Sequence, residues 1–81
     1  MTWRNFTNHR DETRAVKQAL REANIPFTRV GHGTGTAWAW LEIYLGNPEN
    51  YKLYADLVRR IAKQVTGRTG DYDGDILVLA Q

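Results

Sequence analysis

The ten residues 36–45, TAWAWLEIYL, alternate with a period of two, and that alternation constrains everything else the chain can do. In an extended strand successive side chains point to opposite faces of a sheet. Ala37, Ala39, Leu41, Ile43 and Leu45 then share one face, while Trp38, Trp40, Glu42 and Tyr44 share the other. An all-aliphatic face has to be covered by another layer. A chain of 81 residues with no cysteine must build that layer by packing alone, because neither a disulfide nor a thiolate metal site can staple it.

Two segments have the periodicity to supply the cover. Over residues 8–24, Ala15, Val16, Ala19, Leu20 and Ala23 recur at three- and four-residue spacing and predict a helix. Thr7 or Asn8 can cap its start, and Asp11 and Glu12 suit the positive end of its dipole. Asn24 can take the left-handed conformation after the last turn, and Pro26 prevents continuation. Over residues 48–66, Tyr54, Leu57, Val58, Ile61, Ala62 and Val65 form a second stripe, opened by Asn47-Pro48 and closed at Thr66-Gly67.

Residues 27–30 read as a short strand joined to the aromatic one through "GHGTG", which makes a hairpin over residues 27–45. After the polar turn "RTGDYDG", residues 75–80 read as a last strand, and residues 1–7 as an N-terminal arm. The order α-β-β-α-β describes one α+β domain over residues 1–81. It is a two-layer sandwich whose three-stranded sheet carries both helices on one face. The aromatic side of the long strand is then expected to face away from both.

Several motifs dissolve on inspection. A dinucleotide loop needs G-x-G-x-x-G between a strand and a helix, whereas Gly31, Gly33 and Gly35 precede a strand. The phosphate-binding G-x-x-x-x-G-K-[ST] pattern is absent. A hairpin whose glycines permit positive φ accounts for the segment, with His32 a solvated loop residue. "GRTG", residues 67–70, matches the G-x-x-G of K-homology RNA-binding domains, but it leads to a strand where that motif needs a helix. "DYDGDI" places its glycine at position four of a calcium loop instead of six, so a turn is the better account.

His9 and His32 without cysteine do not make a zinc site, and the chain contains no serine. No metal, cofactor or catalytic residue is expected, and no enzyme. The start of the chain lacks a signal-peptide pattern and no apolar run approaches a membrane span. A cytoplasmic protein without membrane contact is the expectation.

The aromatic face offers the clearest surface for binding. Trp38, Trp40 and Tyr44 could stack bases, with Arg29 on the paired strand adding a cation–π or phosphate contact. Equally, Trp3 and Phe6 of the arm could cover those rings, or a second copy of the chain could. On the helices, Arg10, Arg14, Lys17 and Arg21 follow i, i+4, i+7, i+11 spacing, and Lys52, Arg59 and Lys63 take the same register around Asp56. Such rows usually solvate a face, with Asp11, Glu12 and Glu22 balancing the first of them. A net charge of +2 adds only a mild bias toward anionic partners.

Two classes of function follow. One is a nucleic-acid-binding domain in which Trp38, Trp40 and Tyr44 stack while Arg29, Lys52, Arg59 and Lys63 meet phosphates. The other is a protein–protein module, a homodimer or a mobile-element inhibitor of a host complex, using the same aromatic face.

The segment "GTGTAWAWLEI" following "ALREANIPFTRV" resembles short domains that recur inside the large polyvalent proteins of phages and conjugative elements. The resemblance runs through most of the chain in element order. It implies a mobile-element setting and no chemistry that transfers to particular residues.

Overall fold

The computed structural model of the chain describes residues 8–33, 40–68 and 76–81. Two helices and three strands follow in the order α1 (His9–Glu22), β1 (Arg29–His32), β2 (Leu41–Tyr44), α2 (Pro48–Thr66) and β3 (Ile76–Leu79). The α+β class and the α-β-β-α-β order expected from the sequence are therefore the architecture of the molecule.

Local chemistry sets the helix ends. The Asn8 side chain accepts from the Asp11 amide at 2.9 Å and the Asn47 side chain from the Asn50 amide at 2.8 Å, each satisfying a donor that α-helical geometry orphans. Asn24 lies at φ 59°, and the Ile25 amide donates back to the Leu20 carbonyl at 2.9 Å, which closes α1 as its sequence predicts. Gly67, at φ 75°, ends α2 in the left-handed region that favours glycine.

The sheet order is β1-β2-β3, with β1 antiparallel and β3 parallel to the central β2. A parallel neighbour needs a crossover, and α2 provides it. Val30, Leu41, Ile43, Ile76 and Val78 point inward, where α1 lies against β1, α2 against β3, and the helices against each other. Val16 and Leu20 of α1 and Ala55, Val58 and Ala62 of α2 complete this core with Ile25 and Leu45. Each large aliphatic side chain removed from water this way contributes about 1.5–3 kcal/mol before the entropy of ordering is subtracted.

Two readings of the sequence change. The stripe of α2 holds at Val58 and Ala62, which are buried, and at Tyr54, Ile61 and Val65, which pack against the core, but Leu57 is 40% exposed and Ala55 takes a buried place. The most deeply buried line of the helix runs through Ala55, Val58, Ala62 and Thr66. The first strand is also shifted toward the C-terminus. Gly31 and His32 belong to β1, and Gly33 continues its ladder by donating to the Trp40 carbonyl at 2.9 Å. Residues 36–39 of the predicted aromatic strand, including Trp38, lie outside the described residues, as do Gly35 and residues 1–7 with Trp3 and Phe6.

Candidate binding face and a buried ionic cluster

The sidedness inferred for β2 holds across its described residues. Leu41 and Ile43 are fully buried, whereas Glu42 and Tyr44 project from the opposite side of the sheet. Cross-strand register then assembles that outer face. Arg29 pairs with Tyr44 and Gly31 with Glu42 on one side, while Leu77 and Leu79 of β3 neighbour Glu42 and Tyr44 on the other.

Trp40 joins this face in an unforeseen way. A Cβ placed on Gly33 would collide with the Trp40 indole, so the ring lies directly over that glycine. The bare backbone of Gly33 is thus a seat for an aromatic plane. Neither Gly31 nor Gly33 has positive φ, so the conformational freedom expected of them in a turn is not what they provide. They leave Arg29 as the side chain of β1 on its outer side, with open backbone beside it for the Arg29 guanidinium and the Trp40 indole.

Glu42 sits at the centre of the face. Its carboxylate accepts from the Trp40 indole nitrogen at 2.8 Å and from the Tyr44 hydroxyl at 3.1 Å. The Arg29 guanidinium lies over the Tyr44 ring, 5.5 Å from its centroid. The hydrogen bond to Glu42 raises the Tyr44 phenol above its ordinary pKa, because ionisation would discard that bond and set two anions side by side. Glu42 accordingly has neutral donors holding it and Arg29 nearby. Each of its oxygens keeps a lone pair for a further donor.

The other sequence-predicted site residues fall elsewhere. Lys52, Arg59 and Lys63 belong to α2, in the helical layer on the far side of the sheet from Trp40 and Tyr44. Arg59 is 3.8 Å from Asp56 in an exposed pair one helical turn apart, a contact of small energetic value. Arg29, Trp40 and Tyr44 thus come together, and the α2 cations form a separate surface.

A second cluster was not foreseen. Glu12 is 1% exposed and Arg68 2%. The Arg68 Nε donates to one Glu12 oxygen at 2.8 Å and its terminal nitrogen to the other at 2.9 Å, a bidentate pair. His32 brings Nε2 to 2.7 Å from the same carboxylate, and its Nδ1 lies 3.4 Å from the Thr13 hydroxyl. The His9 ring stacks on His32 with centroids 4.0 Å apart and planes 6° from parallel. Thr66 anchors the end of α2 by donating to the Ala62 carbonyl at 2.7 Å and accepting from the Arg68 amide at 3.1 Å.

His32 is therefore a packed strand residue and not a solvated loop residue, because it occupies the same inward side of β1 as Val30. Glu12 likewise does not balance the surface charge of α1. Burial alone would raise its carboxyl pKa, but the hydrogen bonds from His32 and Arg68, with their charges, outweigh burial and hold it at about 2. With the carboxylate ionised, the His32 Nε2 must carry the proton it shares. Among the described residues no group of three or more His, Cys, Asp or Glu could hold a metal ion, and no helix is long and apolar enough to cross a membrane.

No protein-family model, curated protein or solved structure matches this chain. What is established is a small α+β domain with a mixed three-stranded sheet.

Proposed function

We propose that the chain is a small non-enzymatic binding domain for single-stranded nucleic acid, acting in the cytoplasm and, as the resemblance to polyvalent-protein domains implies, in a mobile-element setting. The observation that supports this reading is the convergence of Trp40, Tyr44 and Arg29 on the sheet face opposite the helices. Bases laid on such rings gain ~1–3 kcal/mol each with little dependence on sequence. Glu42, between the two rings, offers acceptors to the amino groups of cytosine or guanine. Its negative charge also keeps phosphates off the centre of the face, so they belong on the Arg29 side. Fluorescence anisotropy with labelled oligonucleotides at low salt tests the reading. Trp40→Ala should weaken binding roughly 5- to 150-fold, the equivalent of one lost stack. Absence of binding to any single strand by the unaltered protein would remove it.

A second reading draws on Leu77 and Leu79, which set two aliphatic side chains beside Glu42 and Tyr44. An aromatic and leucine surface of this kind suits a protein partner or a second copy of the chain. Sedimentation separates the two: a dimer that Leu77→Lys dissociates favours the protein interface, and a monomer throughout the micromolar range favours nucleic acid.

A further inference from the structure

Arg10, Arg14, Lys17 and Arg21 form a row on α1 about 16 Å long at the helical rise per residue. Of the three carboxylates near the row, the one on the helix interior is committed elsewhere. Glu12 is turned inward and both its oxygens are taken by Arg68 and His32. Asp11 accepts from the Asn8 side chain, and Glu22 from Gln18. Among the described residues no ion pair reaches any of the four cations. Like charges one turn apart cost a helix about 0.2–0.5 kcal/mol per pair, and with Glu12 turned inward the row keeps a repulsion that Asp11 and Glu22, at its two ends, offset only in part.

The same flank is concave. An open depression of about 430 Å³ is lined by His9, Arg10, Thr13, Arg14 and Lys17. Every one of these side chains can donate a hydrogen bond and none is a carboxylate. The flank also has a defined place in the fold. His9 and Thr13 rest against His32 at one end of β1, and the Arg21 guanidinium lies 5.6 Å from the Phe27 ring just ahead of β1. It therefore runs beside the edge strand that carries Arg29 to the outer face.

We propose that this flank of α1 holds the sugar–phosphate backbone of a nucleic-acid strand, with Arg10, Arg14 and Lys17 as its phosphate contacts. The inference rests on the nucleic-acid reading above and extends it around the edge of the sheet, adding sequence-independent affinity to the stacking on Trp40 and Tyr44. For a single strand, each phosphate neutralised contributes about 0.7 to the slope of log K against log salt.

The experiment compares a fluorescein-labelled oligothymidylate with an abasic strand of the same length, across a salt series. Three proteins are measured: the unaltered chain, Trp40→Ala, and the triple variant Arg10→Gln, Arg14→Gln, Lys17→Gln. Glutamine is a good helix former, and circular dichroism checks that the triple variant is folded. The expected result is that the unaltered chain binds both strands. The triple variant should lose the abasic strand and shed about 2 from the salt slope, three contacts at 0.7 each. Trp40→Ala should weaken thymidylate only and leave the slope unchanged. A folded triple variant with an unaltered slope overturns the backbone site even if Trp40→Ala confirms stacking. Loss of binding in the triple variant with no effect of Trp40→Ala keeps the backbone site and discards the stacking face. Tighter binding of polyglutamate than of the abasic strand also overturns it, in favour of an acidic protein partner.

Discussion

Two glutamates organise this molecule, and the contrast between them separates what holds the fold from what it can offer a partner. Glu12 is enclosed, bonded by an arginine and a histidine, and ties three elements together. Glu42 lies on the outer sheet face, bonded by an indole and a phenol two residues to either side of it in sequence. The first carboxylate has its charge compensated and its oxygens filled. The second is held in place by neutral groups and keeps room for another donor. Similar chemistry becomes structural in one case and available in the other because of what lies over it.

Removing a partner should expose the difference most sharply. Arg68→Met leaves the Glu12 carboxylate buried with only His32, and the expected loss is about 3–5 kcal/mol in chemical denaturation. Replacing both members, Glu12→Leu with Arg68→Met, should recover most of that loss, since well-packed apolar groups often equal a buried ion pair. If the double variant is no better than the single, the cluster contributes more than charge compensation.

Acid should discriminate next. The Glu12 carboxyl is lowered from 4.5 to about 2 in the folded state, so its contribution is complete above the unfolded value. That contribution drains away as pH falls from about 4.5 toward 2, and at 1.36 kcal/mol per pH unit it amounts to about 3 kcal/mol. Glu12→Gln should flatten stability over this window, as read from urea midpoints at successive pH values. The smallest effect belongs to the outer carboxylate. Glu42→Gln should change stability by less than about 0.5 kcal/mol. It should also bring the Tyr44 phenol back toward its ordinary pKa in an ultraviolet titration, because the anion that raises it has gone.

The outer face could be read from the chain because β-alternation is local: the period through Leu41, Ile43 and Leu45 places Trp40, Glu42 and Tyr44 opposite without knowledge of any distant contact. Helix caps at Asn8, Asn24 and Asn47 were equally local. The buried cluster depends on residues 20 and 56 positions from Glu12, and charged side chains carry a strong expectation of exposure. One signal was present. Glu12 stands at i, i+4, i+8 with Val16 and Leu20, which puts a carboxylate on the apolar stripe of α1. Gly33 was misread for a different reason: positive φ is a property of one residue, whereas space for the Trp40 indole depends on the neighbouring strand.

The bond from residue 12 to residue 68 has a consequence for how the chain comes apart. It fastens the first helix to Arg68, just past the end of the second, so neither α1 nor the last turn of α2 can fray while the other stays docked. Amide exchange in α1 should therefore keep pace with exchange in the last turns of α2. During synthesis the first helix waits on the exit of the second before it can lock, which makes the closing of this clasp a late event.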